Sequence, residues 1–498
     1  MCVTRVLPPT MSKKTIDSAA SEQIGLIALI AIVVSSMIGS GVDSLPQNMA
    51  LTSSVGPVAL AWIICGFGMF FIARIFISLS DLRPDLQAGI YMYAREGFGP
   101  LMAFIVAWGY WLMTIFSNVA FAVMVMDTLN YFMPGHFQGG NNLASIVGAS
   151  ILIWGFHTLV LSGAKLAGVI NLIGTVAKMI PLVFFVAVVT YMLDYANITS
   201  DVWGRQESVV EKPLGSVFAQ TLAPLFVALW CFIGIEGAVA LSGRAKNKAD
   251  VGRATLIGFI ISLVICIAVS VLPFGVLSQA ELSELNNPST AGVMAHVAGK
   301  KGELLITVGV LVSILSSWLA WTMICAEIPM IAAENGTFPK LFATKNSKGA
   351  ASSALWVSSG MMQLVILLVY FSHDAWLTLL AISAITVLPA YFLSSLYLSK
   401  ICLNGEYEQR QAKGKTIALV SSLIGALFCI FMAYASEIQY LAMTPLLITA
   451  GLPLYFRAKE QGGLAWAHFT KHEYLVLGCL LLIDIAVIVL YVKGVITF

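Results

Sequence analysis

The apolar stretch 218–243 is interrupted, within LWCFIGIEGAVALSGR at 229–244, by Gly234-Ile235-Glu236-Gly237. A carboxylate near the middle of a bilayer is costly, and backbone loosened by glycine survives there only where protein or a water-filled cavity satisfies it. The interruption therefore marks a place built to bind. A counterpart lies far upstream, where Ile38-Gly39-Ser40-Gly41 breaks the first apolar stretch. Paired interruptions at matching places in two halves are the pattern of inverted repeats, with a ligand held between broken helices at mid-depth.

Composition bounds the class. The 498 residues are 59% hydrophobic and 10% charged, with a mean hydropathy of +0.90, which excludes an ordinary soluble domain and implies an all-α polytopic membrane protein. A net charge of +2 without a basic or acidic block gives no footprint for nucleic acid. The eight cysteines are scattered through apolar runs with no CxxC pair, and the six histidines form no HExxH, so no metal-ligand set is expected. Residues 1–23 are polar, carry Arg5, Lys13 and Lys14, and lack the apolar core of a removable signal peptide.

Apolar runs of about 20 residues, enough to cross a ~30 Å core, occur at 24–50, 57–79, 101–132, 144–163, 166–192, 218–243, 254–276, 303–332, 354–371, 375–399, 416–435, 438–456 and 474–493. With the N-terminus in the cytoplasm, twenty of the 27 basic residues fall inside and only Arg205, Lys212, Lys300, Lys301 and Lys493 outside; Arg74 and Lys178 lie within spans. That bias sets the orientation. Thirteen spans place the C-terminus outside. No linker divides the chain, so the expectation is one integral body: a tail at 1–23, a ten-helix core at 24–400 with repeats at 24–192 and 218–400, and accessory helices at 416–493.

Several residues then stand out as site candidates. Ser40 and Gly41 open a new half-helix whose free N–H groups suit a carboxylate, although GSG is equally a close-packing contact. Carbonyls around Trp230 and Ile233 suit an ammonium. Glu236 is placed to accept a proton, act as a gate or pair with a cation. Tyr110, Thr114 and Asn118 recur every four residues and share one helical face. Trp230 and Trp321 offer an aromatic wall for a cationic side chain, a contact of roughly 0.5–2 kcal/mol. Lys178 lies well inside its span, as a fixed positive charge in place of a coupling ion, as a titrating group, or snorkelling to the interface. Asp43 adds a carboxylate two residues past the first break.

The motifs SSMIGSGVDSLPQNMA (35–50), RPDLQAGIYMYAREGFG (83–99), AWGYW (107–111), LWCFIGIEGAVALSGRAKNKADVGRATLIGF (229–259) and WLAWTMICAEIPMIAAENGTFPKLFA (318–343) resemble the basic amino acid/polyamine antiporter family of the amino acid–polyamine–organocation superfamily, especially its arginine:ornithine branch. The resemblance implies a leucine-transporter-type fold of five-plus-five inverted repeats with discontinuous helices one and six, and 12–13 transmembrane helices. It implies exchange of a basic amino acid, arginine first, for ornithine by alternating access. The near alternative is exchange for a decarboxylated amine (arginine/agmatine, lysine/cadaverine or histidine/histamine); a channel-like facilitator is the alternative of another class. No enzyme activity, cofactor or sodium is implied. By motif match, Ser40 and Gly41 would hold the substrate carboxylate and backbone near Met37, Trp230 and Ile233 its α-amine. Asn118 would bond the substrate along its length, Trp230 and Trp321 would flank its side chain, Ser383 would be a polar wall, and Glu236, Tyr110 and Tyr391 would gate. The setting would be a bacterial inner membrane, with a homodimer compatible. One departure is visible: Asp43 stands where the family has an aromatic residue.

Overall fold

The computed structural model describes residues 25–86, 90–205, 214–240, 245–372, 374–411, 413–462 and 469–496, so the expected tail at 1–23 lies outside the described residues. All regular structure among them is helical. The first apolar stretch is α1 (Leu26–Met37), α2 (Ser40–Asp43) and α3 (Leu45–Ala50). Next come α4 (Val55–Leu82), the short amphipathic α5 (Ile90–Phe98), α6 (Pro100–Leu129), α7 (Leu143–Leu161) and α8 (Ala164–Tyr191). The sixth stretch is again in pieces: α9 (Val217–Leu222), α10 (Leu225–Trp230) and α11 (Gly237–Ala240). Four long helices follow, α12 (Lys248–Val271), α13 (Ser289–Glu334), α14 (Ser352–Val369) and α15 (Ala375–Leu403). The chain closes with α16 (Lys415–Ala435), α17 (Ile438–Gln461) and α18 (Lys471–Val492).

Ten of these helices are long and apolar enough to cross a bilayer. The other three expected crossings are the two broken stretches and α8. A broken element followed by four long ones thus occurs twice, the order that five-plus-five repeats require. The molecule is an all-α polytopic membrane protein.

Lipid supplies no hydrophobic drive between helices, so close approach through small residues must hold the bundle together. A Cβ on Gly309 of α13 would sit 2.4 Å from Pro181 Cγ of α8, and one on Gly174 of α8 would sit 2.3 Å from Ser316 Oγ. A Cβ on Gly109 would sit 2.9 Å from the Thr386 carbonyl, which brings α6 and α15 into backbone contact. α6 is buried along almost its whole length and forms the centre of the molecule. The continuous helix expected over 303–332 begins earlier, at Ser289, and turns at Gly299, where φ is 65°.

α18 lies at the perimeter and keeps Leu475, Leu481, Leu482, Ile485 and Ile488 exposed, as a lipid-facing helix does. One end is pinned by a buried ion pair: Lys459 Nζ donates to both Glu473 oxygens at 3.0 Å, and the Tyr455 hydroxyl donates to Oε1. The Lys459 ammonium also sits 3.6 Å from the Phe469 ring centroid. Removing one member of such a pair strands a buried charge, at a cost of about 3–5 kcal/mol, whereas removing both is far milder. Lys459→Met should therefore lower the melting temperature of the detergent-purified protein, and adding Glu473→Gln should recover part of the loss; equal melting of all three forms would contradict the pinning role.

Candidate functional site

The two interruptions meet. α1 stops at Met37 because Ile38 (φ −84°, ψ 95°) and Gly39 (φ −120°, ψ −158°) leave the helical region, and helix resumes at Ser40. After Trp230 the chain turns instead of winding on. Ile233 N–H donates to the Trp230 carbonyl (3.2 Å), Ile235 N–H to Phe232 (3.2 Å) and Gly237 N–H to Gly234 (2.9 Å), so the stretch is bonded three residues back. Gly234 has φ +104°, open to glycine at little cost, and a Cβ there would lie 2.9 Å from both Cβ and O of Ser36. Ser36 Oγ donates to the Gly234 carbonyl at 2.9 Å, tying one break to the other. Gly41 matters for a different reason: its Cβ would lie 2.1 Å from Trp230 Cζ3, so only glycine lets the indole rest on the restarted helix.

A small pocket lies at this meeting point. The first break lines it with Ser36, Met37, Gly39 and Gly41, and the second with Trp230, Cys231 and Ile233; Ser117 and Phe121 of α6 and Trp321 of α13 complete the wall. Trp230 is held by its polar and apolar edges alike. Its Nε1 donates to Ser117 Oγ at 3.3 Å, Phe121 lies 5.9 Å away centroid to centroid, and Trp376 of α15 meets it edge-on at 5.5 Å and 83°. Backbone left without helical partners, a hydroxyl and two indoles can together receive a small zwitterion with a cationic tail.

Of the residues singled out from sequence, Met37, Gly41, Trp230, Ile233 and Trp321 come together here. Ser40 heads α2, but its side chain lies outside the described residues. Asn118, Thr114 and Ser383 are buried and lie outside the pocket lining. Asn118 Nδ2 donates to the Thr114 carbonyl (2.6 Å) and its Oδ1 accepts from Thr322 (3.1 Å). Thr114 and Ser383 hydroxyls bond back to Trp111 and Leu379 carbonyls of their own helices. The neighbouring pair Ser117 and Phe121 faces the pocket instead. A polar i, i+4 strip reveals a shared helix face, but a step of one residue rotates a helix by about 100°, and sequence gives no phase that fine.

The charged candidates lie outside the lining of this pocket. Lys178 Nζ donates to the carbonyls of Ser35 (3.0 Å) and Ile38 (2.6 Å) and to Ser317 Oγ (3.2 Å), so the ammonium fills the carbonyl cluster that the first break opens. Asp43 shares a separate small cavity with Lys178, Thr290 and Ser313. Glu236 accepts from the hydroxyls of Tyr110 and, at 3.3 Å, Tyr391. Further along α15, Tyr397 accepts from Arg83, which also grips Asp85 at 3.0 and 2.7 Å and holds that carboxyl below its ordinary range.

An all-α membrane protein whose two interrupted helices abut around a polar and aromatic pocket has the build of a transporter. Comparison with known proteins agrees. The amino acid permease family profile matches residues 24–455, and the chain belongs to that family. It is 49% identical over 456 residues to a protein of Chlamydia abortus named arginine/agmatine antiporter, covering 92% of this chain and 94% of the relative. A protein of the same name from Chlamydia pneumoniae is 46% identical over 480 residues, 96% of this chain and 99% of the relative. The relative of that name from Chlamydia trachomatis serovar D is 48% identical over 432 residues, 87% and 89% of the two chains.

Gly41→Ala places a methyl group 2.1 Å from the Trp230 ring and must displace the indole. With overpacking at about 1–3 kcal/mol, transport should fall roughly tenfold or more. Gly25→Ala, which meets nothing within 4 Å, should transport as wild type. Equal uptake by both variants would show that Trp230 need not rest on Gly41.

Proposed function

We propose that the protein is an antiporter that takes up arginine in exchange for agmatine by alternating access around the two breaks. The observation that carries this reading is the near-full-length identity to proteins named arginine/agmatine antiporter. The sequence motifs put ornithine first as counter-substrate and a decarboxylated amine second. The relatives' names favour the second.

The residue roles follow from chemistry. Free N–H groups at Ser40 and Gly41 face the carboxylate of arginine, and the backbone carbonyls of the two breaks, near Met37, Trp230 and Ile233, receive its α-ammonium. Trp230 and Trp321 hold the guanidinium by cation–π attraction, a contact that agmatine, with the same guanidinium, retains. Agmatine lacks the carboxylate, so the pocket releases it through the same aromatic grip but a weaker backbone one. Glu236 with Tyr110 and Tyr391 forms the closure on one side of the pocket. Lys178 supplies an ammonium at the first break, where an ion-coupled transporter of this architecture would place a metal ion; transport then requires no sodium. The proposed setting is a bacterial inner membrane with the N-terminus in the cytoplasm, which puts the Arg83 and Tyr397 contact on the inner side. The transport core is 24–400, with 416–493 accessory.

Purified protein in liposomes preloaded in turn with agmatine, ornithine, histamine, cadaverine or buffer tests the reading. Agmatine-loaded vesicles should accumulate labelled arginine fastest, and empty vesicles should accumulate none above leak. Stronger drive by ornithine would restore the other counter-substrate, and equal entry into empty vesicles would make the protein a facilitator. Lys178→Ala leaves two carbonyls and a hydroxyl without their donor, at about 1–3 kcal/mol for each buried group. Agmatine-driven uptake should drop at least roughly tenfold, and sodium should not be needed by the wild type; a sodium requirement would contradict the fixed-cation role.

A further inference from the structure

Nothing in the sequence sets Trp376 apart, and it is absent from the pocket lining, yet its ring, carried by α15, packs against that of Trp230. The indoles lie edge-on at 5.5 Å and 83°, and Trp376 sits in the first turn of the helix. The same helix carries Tyr391, whose hydroxyl bonds Glu236 at 3.3 Å. Trp230 ends the first half of the broken span and Glu236 closes its turned segment, so one helix touches both edges of the second break. Between the two contact points stands Pro389. Proline cannot donate to the carbonyl four residues back and is the usual cause of helix bending. Ser383 and Thr386, in the same stretch, bond back to the Leu379 (2.7 Å) and Ile382 (2.8 Å) carbonyls, which also favours bending.

The Trp376 indole N–H is buried and has no hydrogen-bond partner among the described residues. An unpaired buried donor disfavours the state that buries it, and it gains a partner as soon as water reaches it. The ring contact stabilises the packed arrangement of the two indoles, and the unpaired N–H limits that stability.

We propose that Trp376 is a positioning residue for exchange: it holds Trp230 closed over the pocket on the outer side, and the first turn of α15 releases it when the site opens outward. This rests on the orientation and pocket given under the proposed function. The segment before Pro389 thereby controls outer access while Tyr391, beyond it, serves the inner closure. The two grips sit on one helix with a weak point between them, so one can let go while the other holds.

The pocket contains its own reporter, Cys231, which is buried in the second break. In a background carrying Cys479→Ser, because that thiol is exposed, and Cys2→Ser, a membrane-impermeant methanethiosulfonate is added from outside to cells and the rate of Cys231 modification is measured without substrate. Trp376→Ala should raise the rate about two- to tenfold, the range an edge-on aromatic pair supports. Trp376→Phe, which keeps a ring against Trp230, should stay near the wild-type rate. Trp376→Leu, which keeps bulk but not an aromatic edge, should behave as the alanine variant and serves where that variant does not fold. An unchanged rate in the alanine and leucine variants, or a phenylalanine variant labelled as fast as they are, would overturn the proposal. Arginine should slow labelling in every folded variant. Failure of arginine to protect the wild type would count against the substrate reading and leave the role of Trp376 decided by the unliganded rates.

Discussion

Contact between two stretches of unwound backbone is the constraint from which the rest of this molecule follows. Ser36 and Gly234 are close enough that a single added methyl group would collide, and Gly41 lies directly beneath the Trp230 ring. Neither interruption would be tolerable alone at membrane depth, because each exposes backbone groups that lipid cannot satisfy. Each supplies part of the other's surroundings, and the pocket is the space left where they fail to fill one another. The surrounding helices are placed to seal that space. α6 crosses the centre and brings Ser117 and Phe121, α13 brings Trp321, and α15 closes against Trp230.

The same economy governs the charges. An ionisable group inside a membrane protein persists when a partner answers it, and here the partners are specific. The Lys178 ammonium sits on the carbonyls that the first break leaves open, which makes a lysine part of the backbone structure of the site. Glu236 is bridged by two tyrosines from different helices, Tyr110 of α6 and Tyr391 of α15, so a movement of either helix must break a hydrogen bond to it. The carboxylate thus joins the two helices through one polar contact. At the perimeter, Lys459 and Glu473 use the same device for a structural purpose, joining the last two helices.

Much of this is legible in the sequence, for physical reasons. A crossing of a bilayer imposes a length and a composition, so each of the thirteen apolar stretches falls on helix, two of them in pieces, although the helix over 303–332 begins well before its apolar run, at Ser289. The breaks are legible because an apolar run tolerates glycines flanking a glutamate at mid-depth only where the helix opens onto protein or water. Pocket residues belonging to the breaks themselves, Gly41, Trp230 and Ile233, follow directly, and Met37 follows from the family resemblance. Residues contributed by other helices are harder to place. Ser117 rather than Asn118 lines the pocket because side-chain phase on a buried helix depends on how that helix is rotated in the bundle, which apolar neighbours on all sides do not encode. The shared cavity of Asp43 and Lys178 joins positions far apart in the chain, and Trp376 is, in sequence, one more tryptophan near a helix end. Each of these depends on tertiary packing that no local pattern records.

The central claim is that a zwitterion lies between the two interruptions and is held by their backbone. A cryo-electron microscopy map of the protein in nanodiscs with saturating arginine tests it most directly. Ligand density is expected with its carboxylate within hydrogen-bonding distance of the Ser40 and Gly41 amides, its α-ammonium against carbonyls near Met37, Trp230 and Ile233, and its guanidinium between Trp230 and Trp321. Arginine seated elsewhere in the bundle, or either interrupted span found as one continuous helix in the bound state, would contradict it.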